Sequence, residues 1–150
     1  MRLYWLILLT PVAYGQTLRI FPVSGSPGEK VAIEISYDGP SQPAPAALRF
    51  DLTFPVQLIE PEGSAPEVGA DAKKSGKSIV CASRKEYIRT CVMSGGQQPI
   101  PKGTVAVFRF KIRDGARISS STIRISQATG ATVDLKELTI PDTEAKLEVR

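Results

Sequence analysis

The sequence predicts an all-β domain, a sandwich or a barrel built from nine short strands. Three observations carry that expectation. Apolar and polar residues alternate in several short segments. Gly- and Pro-bearing turns separate those segments. No window of eleven or more residues sustains an uninterrupted helical period.

The elements follow in chain order. Leu18–Phe21 and Val31–Tyr37 alternate on either side of the turn residues Ser26-Pro-Gly28. Leu48–Phe54 comes next, after a Pro-rich extended loop over 38–47. Its apolar set Leu48, Phe50, Leu52 and Phe54 is expected inside, with Arg49, Asp51 and Thr53 facing out. Residues 60–77 are rich in Pro, Gly, Ser and charge and form the longest candidate loop; at best 66–74 makes a short helical turn. Ser78–Ser83 and Tyr87–Met93 flank a turn around Lys85-Glu86-Tyr87. Thr104–Ile112 is expected to point Phe108, Phe110 and Ile112 one way and Val107, Arg109 and Lys111 the other. Ser121–Ser126, Glu137–Ile140 and Ala145–Val149 complete the nine. This pattern lets all five Phe be spent on the core.

The first fifteen residues read differently. One positive charge, an apolar run over Leu3–Ala13 and small residues at Ala13 and Gly15 predict an export signal over 1–15, leaving a single domain over 16–150. The run of eleven is too short for a bilayer, which needs about 20 residues. A secreted, periplasmic or cell-surface location is therefore expected, with no membrane span. Cleavage would remove Trp5, Tyr4 and Tyr14, so Tyr37, Tyr87 and the five Phe would be the remaining aromatics. In an exported chain the two cysteines, Cys81 and Cys91, suit one disulfide. The hairpin between them would set them opposite each other.

Composition narrows the function classes. The chain of 150 residues has no His, which removes the commonest general base and most zinc and copper sites. Its acids are scattered, with no pair flanking an evident cleft, so an enzyme is not expected. No phosphate loop, calcium loop or zinc spacing is present, and no cofactor is expected. A net charge of +4 is too mild to suggest nucleic acid.

The order of four segments resembles a cohesin domain, the β-sandwich module of cellulosome scaffolds. Ser26-Pro-Gly-Glu-Lys-Val-Ala-Ile-Glu-Ile35 is similar to the family's Pro-Gly-Glu turn into a strand. Ala47-Leu-Arg-Phe-Asp-Leu-Thr-Phe54 and the residues to Glu60 resemble its alternating aromatic strand and following turn. Gly103-Thr-Val-Ala-Val-Phe-Arg-Phe-Lys-Ile112 is similar to its Gly-x-Leu-Ala-x-Ile-x-Phe-x-Val pattern, and Ala145-Lys-Leu-Glu-Val149 to its closing strand. The resemblance implies a nine-stranded jelly-roll sandwich, close in fold to cellulose-binding modules. It implies a non-catalytic role, attachment to a dockerin-like protein partner in polysaccharide degradation. In that family, partner contacts come from the sheet containing the strand that matches Ala47–Phe54. Ala47 and Arg49 stand where the family carries an Asn and an Asp.

The candidate contacts are Arg49, Asp51 and Thr53 on one strand and Arg84, Tyr87 and Arg89 on the hairpin, all expected on one exposed face. Reversal of Arg49 to Glu is expected to weaken the partner while barely touching the fold. The alternative is direct binding of polysaccharide, which calls for exposed aromatic rings; only Tyr37 and Tyr87 would supply amphipathic ones.

Overall fold

A computed structural model describes residues 15–63 and 65–150. The export signal expected over 1–15 lies almost entirely outside them. Among the described residues there are twelve strands and one short helix. They are β1 (Thr17–Ile20), β2 (Val23–Gly25), β3 (Lys30–Asp38), β4 (Ala47–Thr53), β5 (Ile59–Pro61), β6 (Glu67–Val68), α1 (Ala70–Lys74), β7 (Ser78–Lys85), β8 (Ile88–Ser94), β9 (Gly103–Ile112), β10 (Ser119–Ala131), β11 (Glu137–Thr139) and β12 (Thr143–Val149). All nine expected strands are present. The count of nine is corrected to twelve because β2, β5 and β6 are pieces of two or three residues, too short to show a period.

The strands form two facing sheets. The smaller has the order β1-β3-β9-β5, with β6 also paired to β9. The larger has the order β2-β12-β10-β4-β8-β7, with β11 paired to the far end of β10. Every pairing is antiparallel except β2 with β12. The core lies between the two sheets, as in other sandwiches. Its largest fully buried side chains include Phe50, Phe54, Phe110, Ile33, Ile35 and Leu52. Phe54 and Phe110 meet across the sandwich edge-to-face with ring centres 5.0 Å apart, and Phe50 meets Phe108 in the same way at 6.4 Å. Four of the five Phe are thus in the core. The fifth is a correction: Phe21 follows β1 rather than lying in it, and is 42% exposed.

The long segment expected as a loop over 60–77 is more ordered than its composition suggests. β6 and α1 lie in it, both against β9. Gly69, between them, donates its N–H to the Val105 carbonyl at 2.9 Å. A Cβ there would collide with the Thr104 carbonyl, so only glycine permits this approach. At the end of the segment the Lys77 side chain is buried, with Nζ donating to the carbonyls of Ala46 (2.8 Å) and Gly95 (2.6 Å). Burial holds its pKa below the ordinary lysine value.

The hairpin forms as expected. Cys81 sits opposite Cys91 in the β7–β8 register, and the two are joined by a disulfide.

Candidate functional site

The outer face of β10-β4-β8-β7 is where four of the expected contact residues meet. β4 runs antiparallel to β8 with Arg49 opposite Val92, Asp51 opposite Thr90 and Thr53 opposite Ile88. β8 in turn sets Val92 opposite Val80 and Thr90 opposite Ala82 on β7. Period two then puts Arg49, Asp51, Thr53, Thr90 and Val92 on one face, away from Phe50, Leu52 and Cys91.

Asp51 faces out as expected, yet its carboxylate is covered, with a side chain only 6% exposed. It accepts hydrogen bonds from the Thr90 hydroxyl at 2.7 Å and from Arg84 at 3.0 Å. Arg49 approaches Oδ1, the oxygen that accepts from Thr90, at 3.7 Å. The two arginines close over the carboxylate while keeping about half of their own surface in water (42% and 52%). A carboxylate paired and hydrogen-bonded in this way is a tolerable burial. Neither Arg49 nor Asp51 is therefore the freely solvated side chain that alternation suggested.

Arg49 has a second task. β10 carries a register shift between Ser126 and Thr129, with Gln127 at positive φ (53°). The bulge leaves a carbonyl outside the ladder, and Arg49 donates to it, the Gln127 oxygen, at 3.0 Å. One guanidinium thus joins the bulge of β10 to the carboxylate of β4.

The other two hairpin candidates lie elsewhere. Tyr87 is in the β7–β8 turn, where its carbonyl accepts from the Phe54 N–H at 3.0 Å and Lys85 Nζ stands 5.8 Å over its ring. Arg89 is a correction. It pairs with Leu52 and Ser83, on the side of Cys91 and Met93, and so points between the sheets rather than onto the shared face. The sequence could not show which side of the hairpin is inward, because Ile88, Thr90 and Val92 are about as apolar as Arg89, Cys91 and Met93.

The face also carries apolar residues that the sequence reading did not single out. Val80 and Val92 are an exposed cross-strand pair beside Arg49. Their register follows from the disulfide, since Val80 and Val92 flank Cys81 and Cys91. Leu135 is 87% exposed and, with Val92 and Ala47, borders a shallow recess of ≈ 270 Å³. It is held out by a tight loop in which the Thr132 hydroxyl donates to Asp134 at 2.6 Å and accepts from the Lys136 N–H at 2.9 Å. The Thr132 hydrogen bond holds the Asp134 carboxyl below its ordinary pKa, helped by its own backbone N–H and by Lys136. Leu135 itself adopts φ 65° there.

Of the two tyrosines among the described residues, Tyr37 is in the core, and only Tyr87 is exposed. Among the described residues no cluster of three metal-ligating side chains is present, and no helix is long and apolar enough to cross a membrane.

The arrangement of the two sheets matches solved structures over nine-tenths of the chain. The fold is that of a cohesin domain. The sixth cohesin of scaffoldin B from Acetivibrio cellulolyticus, solved with a mutant dockerin, aligns with a TM-score of 0.73 at 17% identity, covering 92% of this chain and 99% of that one. The OlpA cohesin from Clostridium thermocellum, also solved with a dockerin, gives 0.75 at 16% identity over 91% and 99%. A non-cellulosomal cohesin from the archaeon Archaeoglobus fulgidus gives 0.70 at 11% identity over 91% of each chain. No family model and no curated protein matches the sequence. The cohesin fold is thus shared with chains that keep few of its residues.

Proposed function

We propose that this domain is an exported, non-catalytic attachment module that holds a dockerin-like protein on the outer face of β10-β4-β8-β7, in the setting of polysaccharide degradation. The observation that carries the reading is the make-up of that face. It is a sheet surface with half-exposed guanidinium groups of Arg49 and Arg84 at its centre, flanked by the exposed apolar Val80, Val92 and Leu135. Apolar anchors beside arginine are the composition of protein-binding surfaces. The solved cohesins from Acetivibrio cellulolyticus and Clostridium thermocellum are themselves in complex with dockerins. The matching sheet in the resembled family is the one that makes the contacts.

The guanidinium groups favour a partner that brings a carboxylate and an aliphatic side chain. The interface should bury about 1,200–2,000 Å² in total. Binding of polysaccharide is not favoured, because the burial of Tyr37 leaves Tyr87 as the one exposed amphipathic ring among the described residues.

The test titrates residues 16–150 against a panel of purified dockerin modules by calorimetry. Binding of at least one module is expected, with a loss of about 2 kcal/mol or more for Val92→Asp, which replaces an apolar anchor with a carboxylate opposite Arg49, where the partner's own would bind. No binding across the panel, or binding indifferent to Val92→Asp, would defeat the assignment of this face. Export is checked separately by intact mass of material secreted from an expressing cell, which should begin at Gln16.

A further inference from the structure

The side of the sandwich away from that face is open, and one of the expected contact residues is found there. Between the β7–β8 hairpin and the β5–β9 edge of the smaller sheet lies a cleft of ≈ 460 Å³. That is within the span of about 300–1,000 Å³ typical of ligand clefts. Val56 and Pro61 give it an accessible apolar wall over the buried Phe54 and Ile59, and Arg89, Lys85 and Ser83 its polar rim. Arg89 also lines the narrower continuation of the cleft, in front of Phe108 and Phe110.

The charges around the cleft are unequally satisfied. Arg113 pairs with Glu60 at 3.0 Å, and Arg109 with Glu67 at 3.2 Å. Glu62 is taken by Lys30 at 3.3 Å. Arg89 is half-buried between the sheets and, among the described residues, has neither an ion pair nor a hydrogen-bond acceptor. Glu86, the remaining acid on the rim, lies in the exposed turn and makes no ion pair with it. The guanidinium still reaches solvent through its nitrogens, so it is free to take a partner from outside. Its planar fork is suited to a carboxylate delivered from outside.

The backbone beside the cleft is also unfilled. β7 is the last strand of the larger sheet and pairs on one side only, with β8. Ser83 and Lys85, at its cleft end, therefore border a strand edge able to accept another extended chain.

We propose that this lateral cleft is a second binding site, separate from the outer face, that takes an acidic peptide segment. The peptide lies along the edge of β7, its apolar side chains against Val56 and Pro61, and its carboxylate reaches the Arg89 guanidinium with Lys85 at the rim.

The test uses the blocked peptide acetyl-Val-Phe-Glu-Phe-Val-amide, its Gln counterpart and oligogalacturonate, each titrated into the ¹⁵N-labelled domain. The Glu peptide should bind and shift the amides of β7, Arg89 and Ile59, leaving those of Arg49 and Thr129 still. The Gln peptide should bind about tenfold more weakly or worse, as expected when a charged hydrogen bond is lost. Arg89→Gln should remove the preference for Glu over Gln, and Arg89→Lys should restore part of it. Lys85→Glu, at an exposed position, keeps the test open if Arg89→Gln folds poorly, and should weaken the Glu peptide severalfold. Val92→Asp on the outer face should leave peptide binding unchanged, which separates this site from dockerin attachment. Equal affinity for the two peptides, shifts confined to the outer face, or binding of oligogalacturonate without the peptide would each overturn the proposal.

Discussion

Reversal of Arg49 to Glu is the sharpest probe of how the outer face is built. If Arg49 were a solvated strand residue, the change would cost under about 0.5 kcal/mol. The structure gives it three consequences. The Gln127 carbonyl at the β10 bulge loses its donor at 3.0 Å, a loss of about 0.5–1.5 kcal/mol. The 3.7 Å approach to Asp51 disappears; with Arg49 nearly half exposed, that pair is worth only about 0.2–1 kcal/mol. A second carboxylate then stands beside a covered one. At the effective dielectric of a protein surface this adds about 1 kcal/mol, after the new side chain turns toward water. Together the reversal should cost about 2–3 kcal/mol, a fall in Tm of roughly 6–12 °C for a domain of this size. The assay is urea unfolding of wild type, Arg49→Glu and Arg49→Lys, with thermal melts alongside. Arg49→Lys keeps the charge and loses the fork, so it should fall between the other two. A loss below about 0.5 kcal/mol for Arg49→Glu would show that the guanidinium does not tie the bulge to β4, and the account of the face would fail.

Three further outcomes follow from the same structure. Phe108→Ala should cost about 3–5 kcal/mol by chemical denaturation, because the ring packs on both Phe50 and Phe110 and its neighbours are strand residues that cannot collapse; a cost under about 1 kcal/mol would mean that the two faces of β9 are reversed. Denatured, unreduced protein should show no titratable thiol, and reduction should lower stability by about 2–3 kcal/mol, as expected for the short loop closed by Cys81 and Cys91. Glu67 should titrate below its ordinary value, because Arg109 donates two hydrogen bonds to its carboxylate. Its folded pKa being the lower one, the pair's contribution is present at neutral pH and fades as pH falls through that depressed value; NMR titration should find Glu67 back in the ordinary carboxylate range in Arg109→Gln.

What the sequence determined by itself is what depends on near neighbours. The alternation Leu48-Arg-Phe-Asp-Leu-Thr-Phe54 sorts β4 into a buried and an outer set wherever the strand is placed, because a pleated strand points successive side chains to opposite sides. The same holds for Phe108, Phe110 and Ile112 on β9. The Lys85–Tyr87 turn and the ten-residue spacing of the cysteines determined the hairpin and, through it, the pairing of Val80 with Val92. Only the tertiary structure decided what depends on register between distant segments. Asp51 is covered because β8 delivers Thr90 and β7 delivers Arg84, 39 and 33 residues further along the chain. Arg49 is tied down because β10 bulges at Gln127, 78 residues away. The strands β2, β5 and β6 exist because β12 and β9 offer their edges, and no period can show in two or three residues. Arg89 turned inward for a similar reason. Both sides of β8 carry apolar side chains, so the choice between them was left to the disulfide and the core, which took Cys91 inside and Arg89 with it.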